Sequence, residues 1–420
     1  MRGSTGASTQ ALEDNPVTFN TAERDNSAER SLSVSVTSMA ISQDANKRER
    51  FKQLLRKIGS GEHTSKGLSR NEADEAMELM LTGGASDVQI GAFLIAHRIR
   101  RPEPQELTGM LDTYRRLGPC LRSEPNQRRP ICFGMPFDGR SRTAPIYPLT
   151  ALLLVAAGQP VVLQGGRRMP VKYGVTASEL FSSIGLDLHG MTIQQVQTGF
   201  NLHGLALIHQ PDHFPIGEAL IPARDDLGKR PPLASAELLW TAHQGHHLLV
   251  SGFVHPPTES RAWQALEIAG ETNVITVKGL EGGTDLPVSR AGITARVQIP
   301  SDPERHIVHP RDHGCFGDDP KWESEETWAA QAKEALLGHG PMAHSLRWNT
   351  GCYFWLSGLS ESLQDGVDRA KSMQDKGNGN SILERLISWR ASVGGLTTAS
   401  SKPASSSRSN SIECVSNATQ

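Results

Sequence analysis

Three stretches decide the fold of this chain: Pro130-Ile-Cys-Phe-Gly134, the apolar run Leu149-Thr-Ala-Leu-Leu-Leu-Val-Ala-Ala157, and the return Gly158-Gln-Pro-Val-Val-Leu163. A short apolar segment, a helix-length one and another short one in succession read as strand, helix, strand. The cadence continues with a helix over 177–184 and short apolar segments at Leu205-Ala-Leu-Ile208, Leu248-Leu-Val250 and Val274-Ile-Thr-Val277. Such alternation predicts an α/β domain with a mainly parallel central sheet and helices on its faces. In an open sheet of this kind, ligands sit outside the carboxyl ends of the strands.

Upstream of this domain the period changes to a helical one. Phe51, Leu54, Leu55 and Ile58 line one face of a helix starting at Lys47. Ser69 with Glu72 forms a capping box for a second helix, which carries Ala73, Ala76, Met77 and Met80 and stops at Gly83-Gly84. A third helix starts at Ser86 and carries Ile90, Phe93, Leu94 and Ile95; a fourth follows Pro102 and ends near Gly118. The expected organisation is a small all-α domain over 47–118 and an α/β domain over 119–392, with 215–245 packing back on the helices. Within 324–390 the chain is helical again, with Trp348, Tyr353, Phe354 and Leu356 as large apolar groups. Residues 1–46 and 393–420, rich in small polar residues and without a helical or strand period, read as disordered tails.

Bulk properties narrow the function classes. A net charge of -2 over 420 residues gives no global basic field of the sort general nucleic-acid binders carry. No apolar run approaches the roughly 20 residues that span a bilayer, so no membrane partner is expected. Glu13, Asp14, Glu23, Asp25 and Glu29 argue against an organellar transit peptide. The five cysteines are scattered and form no C-x-x-C pair, which argues against a disulfide framework and for a reducing, cytoplasmic setting. Cys132 and Cys352 read as core residues. His306-x-x-His309-x-x-x-His313-x-Cys315 has metal-like spacing, but Pro310 breaks any shared helical face. His243, His246 and His247 read as packing or polar residues at a strand entrance.

Several segments then resemble one family. Leu54-Leu-Arg-Lys-Ile-Gly59, Leu68-Ser-Arg-Asn-Glu-Ala73 and Gln89-Ile-Gly-Ala-Phe-Leu-Ile-Ala96 look like the helical N-terminal domain of glycosyltransferase family 3. That family holds the anthranilate phosphoribosyltransferases and the pyrimidine nucleoside phosphorylases. Arg224-Asp-Asp-Leu-Gly-Lys-Arg230 resembles its Arg-x-x-Leu-Gly-x-Arg segment, and Asn349 to Gly366 its closing helical stretch. The resemblance implies transfer of a phosphoribosyl group from phosphoribosyl pyrophosphate, of the kind used in tryptophan biosynthesis. It also implies Mg²⁺ as cofactor and a homodimer formed through the helical domain. The transition state has oxocarbenium character, so the protein must hold a pyrophosphate leaving group and position the nucleophile.

The family's Gly-Thr-Gly-Gly-Asp loop falls on Gly134-Met-Pro-Phe-Asp138, keeping only Gly134 and Asp138; Pro136 has no N–H to donate. Gly139-Arg140-Ser141-Arg142-Thr143 follows, with two arginines suited to phosphate. Solvated loop charges are the plainer reading of both; their place at the ligand edge favours phosphate or nucleic-acid contact. The family's Lys-His-Gly-Asn-Arg segment falls on Leu163-Gln-Gly165-Gly-Arg167, with Lys172 and Gly174 matching the basic residue and glycine after it. Its acidic pair falls on Asp285-Leu286, leaving Asp285 as a lone Mg²⁺ ligand or a turn residue. Arg224 stands where the acceptor carboxylate is bound, or forms a structural salt bridge. The substrate-binding set is therefore Gly134, Asp138, Gly139, Arg140, Arg142, Thr143, Gly165, Arg167, Lys172 and Arg224. The rewritten motifs leave two classes of function: a transferase with an altered anion site, or a protein that grips nucleic acid through the old substrate groove.

Overall fold

The computed structural model describes residues 27–61 and 63–398, with side chains over 43–61 and 63–393. From Lys47 onward the chain forms one compact unit. Four helices open it: α1 (Ser27–Gly59), α2 (Arg70–Leu81), α3 (Asp87–Arg100) and α4 (Pro104–Leu117). Ser69 with Glu72, and Ser86 with Gln89, close reciprocal capping boxes that satisfy otherwise orphaned amides. α2 and α4 cross at Gly109, where a Cβ would overlap the Arg70 carbonyl and press on Ala73. Arg70 and Asp112 clasp the same pair of helices from outside.

α1 differs from expectation, beginning at Ser27 rather than Lys47. Extending an existing helix costs far less than nucleating one, so a segment without an apolar stripe can continue it. Similarly, the last helix, Asn378–Thr398, runs past residue 393. The remainder of the two expected tails lies outside the described residues.

The second layer is a seven-stranded sheet in the order β4-β3-β2-β6-β7-β8-β9. Its parallel members are β2 (Ile131–Gly134), β3 (Val161–Gly165), β4 (Leu205–His209), β6 (Leu248–Gly252) and β7 (Asn273–Val277). β8 (Gly292–Gln298) and β9 (Glu304–Val308) add on as antiparallel strands. A two-stranded parallel ladder of β1 (Leu121–Arg122) and β5 (His243–Gln244) flanks the sheet. β2, β3, β4 and β6 are buried almost throughout, as strands covered on both faces must be. Strand order reverses between β2 and β6, and that crevice is where an open sheet offers a ligand site.

The two layers are joined by specific bonds. Thr108 Oγ1 donates to the Ala265 carbonyl at 2.9 Å, and Arg115 reaches the Ala269 carbonyl at 2.8 Å and Glu271 at 2.6 Å. Helix Ile221–Leu227 packs on α3, and helix Leu233–Leu239 packs on α4. α5 (Tyr147–Ala156) lies on the opposite face, buried nearly all round beneath the C-terminal helices. Helices Ala343–Leu356 and Leu363–Asp375 touch backbone to backbone, because a Cβ on Gly366 would overlap the Gly351 carbonyl.

Candidate anion site at the carboxyl edge of the sheet

Backbone packs closely on the first glycines of the loop after β2. A Cβ on Gly134 would overlap the carbonyl of Leu238, so helix Leu233–Leu239 sits directly on this residue. Gly139, at φ +72, lies against the Gly174 carbonyl. Next to it Arg140 and Val175 exchange backbone hydrogen bonds of 3.1 and 2.8 Å. This small bridge fixes the direction of the residues that follow.

Those residues present three successive amides to one acceptor. Ser141 N donates to Glu281 Oε2 at 3.3 Å, while Arg142 N and Thr143 N donate to Oε1 at 3.0 and 2.9 Å. The Thr143 hydroxyl adds a fourth bond of 2.9 Å. Arg140 Nε, Arg142 Nε and Lys172 Nζ stand 3.7, 3.8 and 3.6 Å from the same carboxylate. Consecutive amides aimed at one point form a concavity for an anion. Burial by itself would raise the Glu281 carboxyl. The amide and hydroxyl of Thr143, the Arg142 amide and the Arg140 guanidinium outweigh burial and hold it at about 2. Glu281 adopts φ 55, a left-handed conformation that a non-glycine residue holds only when its surroundings compel it.

Behind this nest, Arg140 is 1% exposed and donates to Asp285 Oδ2 at 2.7 Å as well as to the Thr143 hydroxyl. Asp285 is itself buried and accepts from Ile146 N at 2.9 Å. Asp285, expected as a weak metal ligand, has Oδ2 engaged by Arg140 and the Ile146 amide, while its buried Oδ1 accepts no hydrogen bond from the described residues and Leu286 offers no second carboxylate. Arg140 is paired with Asp285 and also stands beside the Glu281 carboxylate. Arg142 is the exposed arginine of the loop, at 78%. Lys172 donates to the carbonyls of Gly139 and Glu281 at 3.3 and 3.2 Å, and burial depresses its pKa.

The other expected ligands are distributed around this centre. Asp138 pairs with Arg230. Arg224 is buried against Glu237, also buried, as the salt-bridge reading of this residue has it. Arg167 leans outward to Glu218. Gly165 has nothing within 4 Å of its Cβ direction and leaves the end of β3 open. Gln164, standing at the histidine of the family motif, donates instead to the Glu237 carbonyl at 3.2 Å and to that of Trp240.

Beside the nest, a cavity of about 760 Å³ opens between α3, α4 and the carboxyl ends of β6 and β7. Arg98, Arg101, Arg230 and Arg261 line it together with Ser251 and Thr276. Neither this cluster of arginines nor Glu281 was anticipated from sequence. The basic run Arg98-Ile-Arg-Arg101 at the end of a predicted helix was visible, but nothing local placed it at the sheet edge.

A profile of the glycosyl transferase family's helical bundle domain matches residues 52–118. The anthranilate phosphoribosyltransferase of Afipia carboxidovorans is 32% identical over 342 residues, covering 80% of this chain and 98% of that protein. Among solved structures, the Thermus thermophilus anthranilate phosphoribosyltransferase aligns with a TM-score of 0.66 at 23% identity, over 81% of this chain and 98% of that one. The Saccharomyces cerevisiae enzyme in complex with PRPP and Mg aligns at 0.68 and 16%, over 81% and 98%. These structural likenesses show a common fold, and with the sequence relationship they establish that the chain belongs to the anthranilate phosphoribosyltransferase family.

Proposed function

We propose that this protein binds a phosphoribosyl pyrophosphate-type donor on the amide nest of Ser141, Arg142 and Thr143 and transfers its phosphoribosyl group to an acceptor entering from the adjoining cavity. The observation that carries this reading is the convergence of three amides and three cations on one anionic point at the sheet's switch crevice. Amides held in place before the ligand arrives stabilise a departing pyrophosphate without reorganisation. Glu281 now occupies that point, so donor phosphate and Glu281 carboxylate compete for the same donors. Arg98, Arg101 and Arg261 give the cavity a basic lining for a phosphorylated or carboxylated group.

The fit to Mg²⁺ is poor at the position the family motif suggests, since Asp285 is buried on Arg140. A cytoplasmic homodimer joined through the helical domain belongs to the same proposal; the exposed Val88 and Ile99 of α3 are compatible with such a contact. The nucleic-acid reading gains nothing from the geometry. Arg140, Arg142, Lys172, Arg167 and Arg224 each lie against a carboxylate.

Titration calorimetry of the full chain with phosphoribosyl pyrophosphate and Mg²⁺ tests the proposal, with Glu281→Gln measured alongside. Saturable binding is expected, several-fold tighter in the variant because the competing charge is gone. Absence of binding to both proteins sinks it, and salt-sensitive binding of single-stranded DNA instead would establish the alternative.

A further inference from the structure

At the opposite, amino edge of the sheet, the geometry points to a second site: Cys132, His243 and His247 form a three-ligand pocket for a borderline-soft divalent cation such as Zn²⁺. Cys132 lies near the start of β2, and His247 immediately precedes β6, its parallel neighbour. His243 lies on β5, and the turn between the two histidines contains Gly245 at φ +101, a conformation glycine adopts at little cost; the two rings meet edge to face, centroids 5.5 Å apart. All three side chains are buried, and one ligand atom from each lies within 4.8 Å of the other two.

The ring orientations separate this cluster from ordinary core packing. His243 and His247 turn their Nδ1 atoms toward each other at 3.4 Å. Tetrahedral coordination at Zn–N distances of 2.0–2.1 Å separates two ligand nitrogens by about 3.3 Å. The far nitrogens meet oxygens: His243 Nε2 shares a 2.9 Å hydrogen bond with Ser123 Oγ, and His247 Nε2 stands 3.0 Å from Glu271 Oε2 as an ion-pair contact outside hydrogen-bond alignment. Arg115 holds the other Glu271 oxygen at 2.6 Å. A metal-bound imidazole typically donates its remote N–H to a carboxylate or another oxygen, which fixes the tautomer and leaves the near nitrogen as a lone pair. With both remote nitrogens protonated, two lone pairs face each other beside a thiol, an arrangement that a cation between them satisfies.

The donor set, one sulfur and two imidazoles, selects zinc-like ions over Mg²⁺ or Ca²⁺. Binding converts the Cys132 thiol to a thiolate and releases one proton to solvent. Cavities of about 480 and 580 Å³ are both lined by His243, the second by His247 as well, and would admit water or an outside ligand toward the histidines. The cation would tie β2 to the β5–β6 connection and, through Glu271 and Arg115, to α4. The site shares no residue with the anion nest, so it stands or falls independently of the proposed transferase activity.

The test uses the full chain, stripped with chelator and titrated with Zn²⁺ and with Co²⁺. One equivalent per chain is expected, with a thiolate-to-cobalt charge-transfer absorption that is lost in Cys132→Ser. Glu271→Gln keeps all three ligands and should weaken binding 10–100-fold. Should Cys132→Ser fold poorly, His243→Gln supplies the second ligand deletion, expected to abolish stoichiometric binding while keeping the thiol. No stoichiometric uptake, or uptake without a thiolate band, overturns the assignment and leaves a buried His–His contact in a core. Phosphoribosyl pyrophosphate titration of the metal-free chain keeps this outcome distinct from failure of the anion nest.

Discussion

The two edges of the central sheet handle their polar groups in opposite ways. At the carboxyl edge, cations meet carboxylates: Arg140 with Asp285 and Glu281, Arg224 with Glu237, Arg230 with Asp138. At the amino edge, Cys132, His243 and His247 gather a thiol and two imidazoles around a common point. The first arrangement already contains its own counter-ions, so an incoming anion must displace one. The second has no salt bridge among its three candidate ligands to displace. Groups usually discussed as ligands thus serve at one edge as internal scaffolding, and groups usually discussed as core serve at the other as a candidate coordination sphere.

The carboxyl-edge half of this comparison breaks most decisively at Asp285. Asp285→Ala strands the Arg140 guanidinium in a buried site, and removing one partner of a buried pair costs about 3–5 kcal/mol. Urea unfolding measures this; a loss below about 1 kcal/mol would show that Arg140 finds water or Glu281 instead. Glu281 gives the next largest effect. Its folded pKa of about 2 lies below the ordinary value of 4.5, so its contribution is complete above pH 4.5 and is lost as pH falls toward 2. The loss over that window is about 2–3 kcal/mol. Glu281→Gln should flatten that part of the stability–pH curve, and an unchanged slope would place the acid sensitivity elsewhere. Arg142 sharpens the comparison at its smallest scale. Because its side chain is 78% exposed, Arg142→Ala should change stability by under about 0.5 kcal/mol while weakening donor binding several-fold. Equal affinity in calorimetry would confine recognition to the amides.

Much of the fold could be read locally. The runs at 131–133, 161–163, 205–208, 248–250 and 274–277 each lie within a strand, and the Ser69 and Ser86 caps start helices where their patterns place them. β8 and β9 escaped because their exposure is mixed, and an antiparallel edge leaves no long apolar run. The site was less legible than the fold. Arg140 and Asp285 were visible as isolated candidates, but their pairing joins loops 145 residues apart. Glu281 carried no signal, since an acid after two ordinary loop residues becomes central only when the β2 loop folds over it. Gln164 shows the same limit: its departure from the family motif was plain, whereas its bond to helix Leu233–Leu239 was not.

By itself, the sequence determined the α/β layering and the helical N-terminal domain, because hydrophobic period and caps act over a few residues, while the family rested on the resemblance of particular segments. Tertiary structure alone decided which charges remain available. Ion pairing depends on which loops the strand order brings to the same sheet edge, and no local pattern records that juxtaposition.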